Sequence, residues 1–228
     1  MFTPADLQAA WTTFQLCLAT SLILLVIGLP LAWWLAYSHS RWTAVIEAIV
    51  ALPLVLPPTV LGFYLLIALG PHGAVGSVLE SMSFRHLAFS FTGILIGSVL
   101  FSLPFAVQPL QDGFKAIGRA PLDIAASLGA GPIDRFFHVA LPLIRQSVFT
   151  AWVLSFAHTL GEFGVVLMIG GNLAGQTQVL SIVIYDAVEA MDFARAHRLS
   201  LTLLVLSFLL MLGLAAWRRS QRRRGFAC

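Results

Sequence analysis

QDGFKAIGRAPLDIAASLGAGPIDRFFHVALP, Gln111 to Pro142, is the longest charged, glycine- and proline-punctuated segment of the chain between two strongly apolar ones. It carries Asp112, Lys115, Arg119, Asp123, Asp134 and Arg135, and long uncharged runs lie before Asp112 and after Arg145. A polar stretch of about thirty residues is too small to bury a core of its own. The pattern therefore predicts a docking element, held by its apolar flanks and offered to a partner on one side. Pro121 suits the first turn of a helix, where a missing N–H costs nothing, and Asp123 in that turn complements the positive helix end. Leu122, Ala125, Ala126 and Leu128 follow, and Gly129 and Gly131, with Ala130 between them, end the helix. Pro132 starts a second short helix with Asp134 in its first turn, and Pro142 a third that leads straight into the next apolar run. The small side chains of the first helix make a smooth surface suited to a groove in another protein.

The flanks set the class. The 228 residues are 59% hydrophobic and only 10% charged, with a mean hydropathy of +0.91, whereas a soluble domain carries roughly a quarter charged residues. The chain is expected to be an all-α integral membrane protein. No Lys or Arg precedes Arg41 and no small-residue cleavage site follows the first apolar run, so no cleaved signal peptide is expected. Cys17 lies in an apolar run and Cys228 at the tail, so two free thiols are expected.

A helix needs roughly 20 apolar residues to cross a bilayer. Five runs qualify: Phe14 to Tyr37, Ile46 to Leu69, Leu87 to Leu110, Leu143 to about Gly164, and Leu199 to Trp217. Trp33, Trp34 and Tyr37 end the first as an interfacial belt. Prolines at 30, 53, 57, 58 and 104 fall inside these runs and are tolerated where neighbours satisfy the freed carbonyls. Val165 to Ser200 reads as the end of the fourth span, an exposed turn at GGNLAGQTQ (Gly170 to Gln178), and a short amphipathic helix. In that helix Leu180, Val183, Ala187 and Met191 share one face, with Glu189 and Asp192 elsewhere. The alternative is a sixth crossing.

Charge favours five. Cytoplasmic flanks are rich in Lys and Arg. Five spans put Arg41, then Lys115, Arg119, Arg135 and Arg145, then Arg218, Arg219, Arg222, Arg223 and Arg224 on one side, leaving Arg85, Arg195 and Arg198 on the other. A sixth crossing would separate the docking segment from the basic tail. The expected topology has the N-terminus outside and the C-terminus in the cytoplasm. The tail is read as an anchor near anionic lipid rather than a nucleic-acid site.

In the fourth span Ser155, His158, Thr159 and Glu162 recur at helical spacing, and polar groups inside a span usually face the bundle interior. No third ligand accompanies His158 and Glu162, so no metal site is expected. No nucleophile motif or oxyanion hole accompanies Ser155, so no catalytic residue is assigned. Glu162, with Gly161 and Gly164 allowing close helix approach, is read as shaping a gate or as a structural carboxyl. Pro53, Pro57 and Pro58 interrupt the second span; a broken helix with Thr59 at its start either aims N–H groups at an anion or only shapes packing.

The order Asp123, Ala125, Gly129 and Leu141-Pro142 resembles the Glu-Ala-Ala loop of importer-type ABC permeases. Asp123 stands where that pattern has Glu and Ile124 where it has its first Ala. Two further stretches, LPLVLPPTVLGFYLL (Leu52 to Leu66) and LGEFG (Leu160 to Gly164), resemble the molybdate permeases of this family; sulfate and tungstate relatives share the second more than the first. The likeness covers essentially the whole chain and implies a single transmembrane domain over residues 1–228, its cytoplasmic coupling loop at about 111–142. It implies a bacterial inner-membrane permease that moves molybdate or a similar tetrahedral oxyanion. Its implied partners are a second copy of itself, an ATP-binding subunit on the cytoplasmic side and an extracytoplasmic oxyanion-binding protein. No cofactor is implied. The chain has no G-x-x-x-x-G-K-[ST] phosphate loop, so the ATPase is expected in the partner. A stand-alone secondary transporter would call for inverted repeats or paired intramembrane charges, and the sequence shows neither.

Overall fold

In the computed structural model, residues 2–82 and 86–225 are described, without the side chains of 79 and 221–225. Arg85 and Cys228 lie outside the described residues, as do the side chains of Arg222, Arg223 and Arg224. Among the described residues every regular element is helical. In order these are α1 (Pro4–Tyr37), α2 (Thr43–Ala51), α3 (Pro58–Leu69), α4 (Ala74–Ser81), α5 (Phe91–Ile117), α6 (Ala120–Ser127), α7 (Pro132–Asp134), α8 (Leu141–Leu143), α9 (Arg145–Leu160), α10 (Gly164–Gly170), α11 (Leu180–Glu189) and α12 (Phe193–Gly225). A single 3₁₀ turn, Leu52–Leu54, follows α2, and a π-helical stretch, Arg135–Ala140, fuses α7 to α8 into one rod.

Four segments are long and apolar enough to cross a membrane: α1, Pro58–Val78, α5 and Phe193–Ser220. A fifth arises if the rod Pro132–Leu143 and α9 are counted together, although they meet at 75°. The first span starts earlier than its apolar run because Thr3 caps it. Thr3 Oγ1 accepts from Asp6 N–H at 3.2 Å, and Asp6 Oδ2 accepts from Thr3 N–H at 2.8 Å.

The second span differs from expectation. Ile46 to Leu69 is not one helix: α2 ends in the 3₁₀ turn, the chain opens at Val55–Pro57, and α3 begins at Pro58. Pro58 has no N–H to offer and restricts the residue before it, and Pro57 sits at φ −56°, ψ 135°, outside the helical region. The crossing candidate is shifted towards Val78. The expected start of a new helix at Pro142 is also corrected. Pro142 lies inside the rod, and the direction changes at Ile144 (φ −94°, ψ 12°), so the rod does not run straight into α9.

α1, α5 and α9 pack together at the centre. At one end Ala32, Leu35, Val107, Leu110, Phe114 and Ile144 are buried together. At the other, Leu16, Ile94, Val165, Val166, Ile169 and Ile182 close around α10. Lipid tails are as apolar as these side chains, so shape rather than hydrophobicity holds membrane helices together. α10 is fitted accordingly: a Cβ on Gly62 of α3 would lie 2.7 Å from Met168 Cβ, and one on Gly97 of α5 would lie 2.6 Å from Ile169 Cδ1.

Beyond α10, the turn is pinned rather than free. Buried Thr177 donates to Gly170 O at 2.7 Å and accepts from Leu173 N–H at 3.0 Å, while Asn172 Nδ2 reaches Asp186 Oδ2 at 3.0 Å. Leu180, Val183 and Ala187 are buried as expected, but Met191 is not on their face. α11 ends before it, its φ is +58°, and it is 74% exposed. The helix cannot carry the stripe through a left-handed residue. α12 is tied to the start of α1 by Asp6, which is 2% exposed and takes Arg195 Nε at 3.1 Å and Nη2 at 2.6 Å. Elsewhere α12 is largely open, with 11% of its most apolar window buried.

Met168 Cβ is fixed to its backbone and cannot rotate away from a new methyl on Gly62. Gly62→Ala is therefore expected to destabilise the purified protein by about 1–3 kcal/mol, read as an earlier thermal unfolding midpoint in detergent. An unchanged midpoint would show that α10 is not held by this notch.

Candidate functional site

The charged segment is built on the base of the bundle. α6 begins with Pro121 in its first turn and Asp123 exposed beside it. Its end is closed by Ala130 N–H to Ala125 O and Gly129 N–H to Ala126 O, both at 3.0 Å. That pair of bonds requires a left-handed residue, and Gly129 supplies it at φ +92°. Gly131 is extended and caps α7 instead. Leu122 is buried in the basal core, Ala125 is half-buried, and Ala126, Ile124 and Leu128 are exposed, the last two at 63% and 83%. Leu141 and Pro142 sit in the rod, just before its bend into α9.

Side chains from α1 hold this segment in place. Tyr37 donates its hydroxyl to Phe114 O at 2.8 Å, and Arg119 Nη2 donates to Tyr37 O at 2.7 Å and approaches His39 Nε2 at 2.9 Å. Trp33 stands edge-on to both Phe114 and Phe136, 5.2 Å between ring centroids in each case. α6 and the rod are thus joined to two crossing helices through rigid aromatic contacts.

The second group of candidates meets where two helices break. α9 stops at Leu160, the chain turns through Gly161 and Glu162, and α10 restarts at Gly164. A Cβ on Gly164 would lie 2.9 Å from Pro58 Cβ and 3.5 Å from Thr59 N, so this break rests on the break before α3. Pro57, Pro58 and Thr59 are exposed on that side. Ser155 and Thr159 are buried on one stripe of α9, bonding back to Ala151 O and Ser155 O. Glu162 does not continue the stripe, because the helix has already ended; it is 5% exposed in the turn. Its backbone carbonyl accepts from Ser181 Oγ at 2.6 Å. Both of its carboxyl oxygens are buried with no hydrogen-bond partner among the described residues.

Sequence reasoning missed the facing helix. Ser102 Oγ of α5 lies 2.9 Å from His158 Nδ1 and 3.1 Å from Thr159 Oγ1, and Phe105 stacks on the His158 ring at 3.9 Å between centroids. Ser98, one turn away on α5, stands beside the Glu162 carboxyl. Ser98 Oγ and, on α1, Thr20 Oγ1 are also buried and unpaired among the described residues. A buried polar group without a partner costs about 1–3 kcal/mol, and Ser98 is placed to offset part of that cost by donating to the Glu162 carboxyl. Ser98 and Ser102, at i and i+4 inside an apolar run, were the available signal. The arrangement offers hydroxyls, one imidazole and one carboxyl along the α5–α9 seam.

The pattern that defines the binding-protein-dependent transport system inner membrane components matches residues 28–224. The chain belongs to that family. Over 214 residues this inner-membrane component is 52% identical to the molybdenum transport system permease protein ModB of Azotobacter vinelandii, covering 94% of this chain and 95% of that one. The ModB of Mycobacterium tuberculosis is 35% identical over 94% of this chain and 80% of its own. A probable sulfate transport system permease protein, cysT, of a Helicosporidium species is 32% identical over 90% and 75%. Among solved structures, a bacterial alginate ABC transporter in complex with an alginate pentasaccharide-bound periplasmic protein superposes with a TM-score of 0.77 at 16% identity, over 93% of this chain and 77% of that one. The fold is that of an ABC importer permease, and the protein is a multi-pass inner-membrane component.

Glu162→Gln keeps the size and burial of the side chain in this inner-membrane component while removing its acid function. The variant is expected to assemble normally and to change transport rate by about tenfold, the order of 1.4 kcal/mol, in a reconstituted uptake assay. Wild-type rates would make Glu162 purely structural.

Proposed function

We propose that this chain is the membrane-spanning permease subunit of an ATP-driven importer that carries molybdate, a tetrahedral oxyanion, into the cytoplasm. The observation that carries the cargo is the 52% identity to a molybdenum permease along almost the full length of both chains. The subunit works as a homodimer with the path on its axis, since α1, α5 and α9 with their neighbours are too few to enclose a path alone. The N-terminus is outside and the C-terminus cytoplasmic. This orientation is supported by Arg41, Lys115, Arg119, Arg135, Arg145, Arg218 and Arg219 lying on the side of α6.

α6 is the coupling helix of a separate ATPase subunit, with Pro121, Asp123, Ala125, Ala126, Gly129, Ala130 and Gly131 shaping its seat and Leu141-Pro142 closing the rod behind it. Exposed Ile124 and Leu128 present apolar surface for that seat. When the ATPase closes on nucleotide it displaces α6 as a rigid body. The rod meets α9 at 75°, so a push along the rod tilts α9, and the Arg119–Tyr37 bond carries the same displacement to α1. The path runs along the α5–α9 seam past Ser155 and Thr159. Glu162, between Gly161 and Gly164, forms a gate against Pro57, Pro58 and Thr59 at the outer end. An extracytoplasmic binding protein delivers the anion there.

Sulfate is the second reading, favoured by the 32% identity to a sulfate permease; tungstate, a dianion of nearly molybdate's size, would use the same path. The deciding test is uptake of labelled molybdate into vesicles holding the permease, its ATPase and its binding protein, competed by sulfate and tungstate. Sulfate competing as well as unlabelled molybdate would overturn the cargo. Ala125→Glu places a charge in the half-buried face of α6; it is expected to abolish co-purification of the ATPase while the thermal midpoint of the permease is kept. Retention of the ATPase by that variant would displace the seat from α6.

A further inference from the structure

A pocket lies at the other end of the α5–α9 seam from Glu162, lined by none of the residues assigned to the path. It has a volume of about 430 Å³ and opens between the basal halves of α5 and α9 and the end of α12. Its polar lining is Gln108 and Asp112 of α5, Gln146, Ser147 and Thr150 of α9, and Arg218 of α12. Phe105, which stacks on His158 at mid-seam, also lines it, so one aromatic ring connects the pocket to the residue that Ser102 bonds.

Arg218 is the only cation lining it among the described residues. Its guanidinium is held in place by a neutral group: Nε and Nη2 both donate to Thr150 Oγ1, at 3.2 and 3.0 Å, and Thr150 is 5% exposed. No ion pair among the described residues neutralises it. The rest of its N–H donors are left for the pocket, in a planar fork that matches oxyanion geometry. The Gln108 and Gln146 amides and the Ser147 hydroxyl add neutral donors on two walls. Asp112 lines the same space and repels an anion.

We propose that this pocket is a weak tetrahedral-oxyanion site, where cargo pauses on the cytoplasmic side before release, drawn by Arg218 and kept loosely held by Asp112. The inference rests on the oxyanion reading given above. One cation set against one carboxylate gives an affinity low enough for the anion to leave, which a path must do as well as admit it. The same donor chemistry would also hold the phosphate of an anionic lipid.

The test is equilibrium binding of labelled molybdate to the permease–ATPase complex in nanodiscs of zwitterionic lipid, with no binding protein present. Arg218→Gln is expected to weaken binding about fivefold and Asp112→Asn to strengthen it by a similar factor, the size of one screened charge interaction at a partly solvated site. Arg218→Lys keeps the charge but not the fork, and is expected to bind between wild type and Arg218→Gln. A purely structural Arg218, tying α12 to α9, would not make Asp112→Asn bind more tightly. Both substitutions binding as wild type would overturn the proposal, as would Arg218→Gln lowering only the retention of phosphatidylglycerol in mixed-lipid discs. If the wild-type complex binds sulfate and not molybdate, with the same opposite effects of the two substitutions, the pocket stands and the cargo assignment falls.

Discussion

Trp33 stands edge-on between Phe114 and Phe136, and that contact joins three segments: the base of α1, the base of α5 and the rod that begins with α7. A charged segment without a core can hold a defined position only if something rigid grips it. Aromatic rings in edge-to-face contact do so with little conformational freedom to lose. Tyr37 and Arg119 add directional bonds to backbone carbonyls beside the rings. Were this junction soft, movement of α6 would be absorbed locally and no displacement would reach the crossing helices.

The upper half of the molecule is organised by the opposite device. There the helices are interrupted and glycine lets the interruptions touch. Gly164 seats against Pro58 and Thr59, and Gly62 and Gly97 receive α10. Broken helices leave backbone groups without internal partners, which a membrane tolerates only where protein or a polar cavity covers them. The unpaired hydroxyls of Thr20 and Ser98 and the carboxyl of Glu162 lie in the same region. The base is thus held by rigid aromatic contacts, and the top is interrupted and polar.

Much of this architecture was legible in the residues. Pro121, Asp123 and Gly129 mark α6 because their effects are local: a missing donor, a charge at a helix end, a positive φ. The long apolar runs of α1, α5 and α12 were visible because crossing a bilayer demands length. The second span was misplaced because an apolar run does not say where Pro57 and Pro58 will open it. Met191 was misplaced because periodicity cannot see a helix end made by a left-handed residue.

The sequence by itself determined that the chain is an all-α membrane protein with one charged, proline- and glycine-punctuated segment, since hydropathy, charge and local capping are properties of neighbouring residues. Only the tertiary structure decided which polar side chains share a seam. Ser102 finds His158 and Thr159, Arg218 finds Thr150, and Asp6 finds Arg195, across separations of 56 to 189 residues. Such pairings depend on how helices pack against one another, and packing is set by the shapes of whole faces rather than by any stretch of sequence.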